Sequence, residues 1–260
     1  HVMGLFRQFW IPAGCLGSEG AYVRMPSDDL LGILALESQR ARAVVIGEDL
    51  GTVPAGLPRQ LARWGILSMR VLPFERDGRG EYVPSRRYLQ RALVSANTHD
   101  MAPLAGFWQG RDLTLRRRFG GIATDDALTA LQRERAVTRQ ALTRRLCRER
   151  VLRGDGVPST TALSAAVHSF LARTPATLVG VSLDDLAGET DPVNLPGVGL
   201  DVFPSWSRKM TRPLDDLARD AEVGRALGEA PALRGSRVPL RNQETRGRRS
   251  RSRRRARSRA

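Results

Sequence analysis

Apolar runs without strict polar alternation recur along this chain, and segments of helical period lie between them. Four such runs, at residues 43–46, 68–74, 93–96 and 177–183, are rich in Val, Ile and Leu. That pattern suits parallel strands covered on both faces. Residues 28–42 carry Leu30, Leu31, Leu34 and Leu36 on one helical face, with Ser27 or Asp28 placed to cap it. Residues 54–64 open with Pro54 at a first-helical position. Residues 124–152 predict a long, Arg-rich amphipathic helix, and residues 159–171 a shorter one capped by Ser159. Alternation of strands and helices predicts βαβ units on a parallel sheet. Residues 111–158 are too long for a simple crossover and predict a helical insert.

From residue 234 onward the apolar periodicity is lost, and residues 234–260 are expected to be a disordered basic tail following a single catalytic unit over residues 1–233. The net charge is +15 over 260 residues, but nine of those excess charges are arginines between residues 246 and 260. Such a tail binds phosphates nonspecifically. No aromatic residues are interleaved with those arginines, so no specific nucleic-acid partner is expected. No apolar run reaches the length of a membrane span, so no membrane partner is expected. The first ten residues lack the pattern of a signal peptide. Cys15 and Cys147 match no metal spacing and read as free thiols of a cytoplasmic protein, and no metal or other cofactor is expected.

Two of the strand runs end abruptly in acid. Val44-Val45-Ile46-Gly47-Glu48-Asp49-Leu50-Gly51 is one, and Leu93-Val94-Ser95-Ala96-Asn97-Thr98-His99-Asp100 is the other. Carboxylates at the C-terminal ends of barrel strands are where a (β/α) barrel places its catalytic groups. A pair of them fits glycoside chemistry, in which one carboxyl group donates a proton and another attacks or stabilises the anomeric carbon. On the residues alone, Glu48 also reads as an acid opening a βα loop, and Asp100 as an Asx-turn residue.

Several stretches together are similar to the 4-α-glucanotransferases, or amylomaltases, of glycoside hydrolase family 77. They are Gly47-Glu48-Asp49-Leu50-Gly51-Thr52-Val53-Pro54, residues 64–74, Thr98-His99-Asp100, residues 183–189, Asn194-Leu195-Pro196-Gly197 and Trp206-Ser207-Arg208-Lys209. His1-Val2-Met3-Gly4-Leu5-Phe6 resembles the residues just after the family's nucleophile. The resemblance runs from His1 to about Arg219 and leaves the tail unexplained.

It implies an α/β fold, the C-terminal half of a (β/α)8 TIM barrel carrying strands five to eight. It implies Glu48 as general acid/base and Asp100 as the third catalytic carboxylate. His99, Asn97 and, by sugar stacking, Trp108 are the expected substrate contacts, with Phe107 a further stacking candidate. The implied partners are α-1,4-glucans and maltooligosaccharides. It also implies that the nucleophilic aspartate directly precedes His1, so this chain is expected to be an inactive fragment of a longer enzyme. Hydrolysis of the same glucans, and a non-catalytic fragment with a nucleic-acid-binding tail, are the alternatives. Trp10, Tyr22, Trp64 and Trp206 read as packing residues, and Asp184 and Asp185 as caps of the helix they open, with contact to a donor subsite the alternative.

Overall fold

The computed structural model describes residues 1–154, 156–221 and 223–224. The expected basic tail lies outside these residues. A four-stranded parallel sheet forms the centre, in the order β3 (Ile46–Gly47), β4 (Leu67–Val71), β5 (Ala92–Ser95) and β6 (Leu178–Val179). The expected strands are all present, but β3, β4 and β6 are shorter than their apolar runs, and β5 matches its run in length one residue earlier. β4 ends at Val71 because Pro73 has no N–H for the ladder, and Leu72–Phe74 turn into a 3-10 helix. The last run yields only Leu178–Val179, and Leu183 opens a helix instead. Among the described residues β3 is an edge strand, and Ile46 in it and Val44 just before it are exposed.

Helices α1 (Ser27–Arg40), α2 (Leu57–Arg63), α5 (Asp125–Arg148) and α6 (Thr160–Ala172) answer the helical expectations. α5 starts where Thr124 accepts the Ala127 N–H at 3.2 Å, with Asp125 and Asp126 in its first turn and Arg145 and Arg148 in its last. Those charges oppose the helix dipole at both ends. Ser159 caps α6 in the same way. α1 has Pro26 at its N-cap and no side-chain cap bond, so neither Ser27 nor Asp28 caps it. α2 begins three residues later than expected. Gly56, at φ +86°, makes the turn that Pro54 was expected to begin, and Pro58 lies in the first turn.

The insert is helical, with α4 (Arg111–Arg118) ahead of α5, and α3 (Leu104–Gln109) precedes it. α7 (Leu183–Ala187) and α8 (Leu214–Arg219) follow later in the chain. An antiparallel pair, β1 (Arg7–Trp10) and β2 (Ala21–Arg24), was not expected from the sequence.

The main core joins β5 to α3, α5 and α6, through residues such as Val94, Trp108, Leu142, Leu163 and Phe170. A second cluster packs Val2 and Met3 against Leu31, Leu57, Leu61 and Ile66 under β3. α3 also abuts the chain at Thr190, for a Cβ on Gly106 would lie 2.0 Å from the Thr190 carbonyl oxygen. Gly106→Ala is therefore expected to destabilise the protein by about 1–3 kcal/mol through overpacking, although alanine is the better helix former. Urea unfolding of the variant measures this directly.

Candidate active site

Glu48 follows the last residue of β3, at the C-terminal end of the sheet. Its side chain is 35% exposed, and an oxygen lies 3.7 Å from His1 Nδ1. Its backbone carbonyl accepts the Val2 N–H at 3.3 Å. Gly47 permits that approach: a Cβ there would stand 3.1 Å from the Val2 side chain and 3.2 Å from Ile66. Asp49 has a different fate. It is buried, accepts the Met69 N–H at 2.8 Å, and meets both terminal nitrogens of Arg70 at 3.3 Å. Arg70 also lies 3.8 Å from Glu75, whose carboxyl is pushed above the usual range by burial, with Arg70 opposing.

β5 leads into the second cluster. Ser95 Oγ donates to the Asn97 carbonyl at 2.9 Å, and the Asp100 N–H donates to Thr98 Oγ1 at 3.2 Å. These bonds shape a tight loop at the strand end. His99 Nε2 lies 3.5 Å from one Asp100 oxygen, and Asn194 Nδ2 donates to the other at 2.6 Å. Both His99 and Asp100 are about half exposed. The His99 ring packs against Trp206, with centroids 5.3 Å apart and planes tilted by 48°.

Asn97 is anchored from below. Its amide nitrogen donates to both oxygens of Asp185, at 3.0 and 2.9 Å. The same carboxylate accepts the Leu104 N–H at 2.7 Å, at the start of α3. Asp185 thus caps α3 across space rather than its own helix α7, which corrects the local-cap expectation. Asp184 is likewise no cap and pairs with Arg208 at 2.7 Å. Burial raises the pKa of Asp185, while the Leu104 N–H, His168 and Asn97 oppose the shift. His168 is buried beside it, with Nδ1 on the Ser164 carbonyl at 2.8 Å and Nε2 4.0 Å from Asp185.

Two cavities flank the loop. One of about 380 Å³ is lined by Asn97, Asp100, Phe107, Arg135 and Asn194 among others. The other, about 290 Å³, is lined by Asn97, His99, Met69, Asp184 and Val193 among others. Asn97, His99 and Asp100 are thus brought together. Glu48 shares their edge of the sheet, with β4 between, but lines neither cavity. Trp108 is a correction: it is buried in the main core near Arg139 and offers a glucan no open face. Phe107 does line the larger cavity, with the Arg135 guanidinium 4.2 Å from its ring centre. Trp10, Tyr22, Trp64 and Trp206 are exposed rather than buried in a core, a second correction.

Sequence reasoning did not single out Asn194, Asp185 or Trp206 as site residues. Asn194 sits in one of the family-like stretches, which was the available signal. Asp185 and Trp206 sit in such stretches too, but their residue types alone do not separate them from first-turn acids and ordinary core aromatics.

A parallel sheet of an α/β protein that presents carboxylates, amides and a histidine at its C-terminal edge is the layout of a polar-substrate enzyme. The family model for 4-alpha-glucanotransferase, glycoside hydrolase family 77, matches residues 1–215, and the chain belongs to that family. The 4-alpha-glucanotransferase of Haemophilus influenzae is 37% identical over 220 residues, covering 82% of this chain and 31% of that protein. The Mycobacterium tuberculosis 4-alpha-glucanotransferase is 36% identical over 247 residues, covering 89% of this chain and 34% of the relative. The chain therefore spans about a third of the length of these relatives. The crystal structure of amylomaltase from Corynebacterium glutamicum superposes with a TM-score of 0.82 at 31% identity, over 88% of this chain and 34% of that one. Amylomaltase from Streptococcus agalactiae in complex with acarbose shares the fold, with a TM-score of 0.60 at 15% identity over 90% of this chain and 40% of that one. Among the described residues, no helix is long and apolar enough to cross a membrane.

Proposed function

We propose that this chain supplies the acid/base side of a retaining 4-α-glucanotransferase acting on α-1,4-glucans, as strands five to eight of a (β/α)8 barrel. The observation that supports it most is the common edge: Glu48 and the loop carrying Asp100 leave the same end of one parallel sheet, two strands apart. Parallel neighbours repeat about every 4.7–4.9 Å, so two steps put these backbones on the order of 10 Å apart. Inward side chains then approach one glucan from both sides.

In this reading an ionised carboxylate outside these residues attacks the anomeric carbon of an α-1,4 bond. Glu48 gives its proton to the departing 4-oxygen. A glycosyl-enzyme results, and the released glucan leaves. An acceptor's 4-hydroxyl then attacks the same carbon, and Glu48 takes back the proton. Asp100, oriented by Asn194 and His99, holds sugar hydroxyls and offsets positive charge at the ring as the bond breaks. Water in place of the acceptor would give hydrolysis by the same groups.

Asp49 cannot replace the nucleophile, because Met69 and Arg70 occupy its carboxylate inside the protein. The isolated 260-residue chain is thus expected to leave maltotriose unchanged. A chimera in which residues 1–215 replace the matched third of the Haemophilus influenzae relative is expected to convert maltotriose into glucose and longer maltodextrins. Longer products from the isolated chain, or glucose and maltose alone from the chimera, would overturn the transferase reading.

A further inference from the structure

Trp206 combines three features that packing alone does not explain. It is 59% exposed, although it is the largest apolar side chain type. Its backbone sits at φ +67°, a region that bulky residues avoid. Among the described residues, the other non-glycine residues there are Arg42 and Arg150, each two residues past the end of a helix, where the left-handed turn is a common ending. Trp206 ends no helix.

The strained backbone is held in place. The Trp206 N–H donates to the Val193 carbonyl at 2.8 Å, and the neighbouring Ser205 is buried with Oγ accepting the Leu195 N–H at 3.2 Å. Residue 206 is thereby pinned opposite Asn194, the side chain that grips Asp100. The segment is fixed further along by Arg208, which bridges Asp184 at 2.7 Å and the buried Glu189 at 3.2 Å. The outcome is an indole ring lodged against His99, next to a carboxylate, and open to solvent.

The geometry points to Trp206 as a stacking wall for one glucosyl ring of an α-1,4-glucan, bound beside Asp100 with His99 between them. This rests on the glucan reading above. A glucopyranose ring carries C–H bonds on its faces and hydroxyls around its rim. An indole face covers the former, while Asp100 and His99 reach the latter from one side. Strain of this kind persists where the surrounding structure over-determines it, as at ligand clamps.

The test is maltoheptaose binding to the 260-residue chain by titration calorimetry, with thermal unfolding of each variant. Trp206→Gly suits the test because glycine accepts this φ without strain. It is expected to weaken binding by about tenfold or more with the melting temperature unchanged or raised. Trp206→Tyr keeps a stacking face and is expected to bind within about threefold of the parent chain. Unchanged binding by Trp206→Gly, while Asp100→Asn loses it, would overturn the stacking wall and leave the glucan site standing. A lowered melting temperature for Trp206→Gly, with weak binding that tyrosine does not restore, would make the ring a structural part and also overturn the proposal. No binding by the parent chain at about 20 mM ligand, a very weak affinity limit, would count against the glucan site itself and the wall with it.

Discussion

Glu48→Gln in the chimera is expected to lower maltotriose turnover by about 10²–10⁴-fold, the usual worth of a general acid/base group. Glutamine keeps the side chain's shape and loses only the transferable proton. The fold should tolerate the change, because Glu48 is part of no buried network and its neighbour His1, with Nδ1 at 3.7 Å, is itself exposed. The KM for maltotriose is expected to stay within about threefold, since the lost interaction belongs to the transition state rather than to ground-state binding. Initial rates across maltotriose concentrations separate the two parameters. A variant keeping more than about a tenth of parental turnover would remove Glu48 from the acid/base role.

Asp185→Ala carries the largest expected cost in stability, about 3–5 kcal/mol. The carboxylate is buried and serves two donors, the Asn97 amide and the Leu104 N–H. Alanine leaves both without their acceptor and opens a gap beside His168. The same bonds tie the loop that carries His99 and Asp100 to the start of α3. The variant is therefore also expected to loosen that loop, visible as faster amide exchange at residues 97–104. Urea unfolding gives the stability change. A loss below about 1 kcal/mol would show that solvent or rearrangement replaces these bonds.

The parallel sheet was legible because its strands lie in largely apolar runs without strict polar alternation, the pattern expected of strands buried on two faces. Strand ends were not legible. Pro73 stops β4 inside an apolar run, and the last run yields a two-residue strand before Leu183 joins a helix. The β1–β2 pair escaped notice because its strands are short and half polar, with a long connection between them.

Glu48 and Asp100 could be read as candidates because strand-end acids are a local pattern. Asp185 could not, since its partners Asn97 and Leu104 lie 88 and 81 residues away. Asn97 was named as a sugar contact, yet its amide nitrogen is spent on Asp185. Trp108 was named for its nearness to Asp100, but α3 turns it into the core with Leu104. Trp206 was read as a packing residue, and its backbone angle and exposure set it apart.

The proposed role of Glu48 is to protonate the departing glucan oxygen, and leaving-group dependence isolates that role. Fluoride departs from an anomeric carbon without a proton, and azide attacks that carbon without losing one. Fluoride release from α-maltosyl fluoride with azide as acceptor therefore bypasses the acid/base group, whereas maltotriose requires it. Glu48→Gln in the chimera is expected to lose about 100-fold or more on maltotriose but to stay within about tenfold of the parent on the fluoride with azide. An equal loss on both substrates would contradict it.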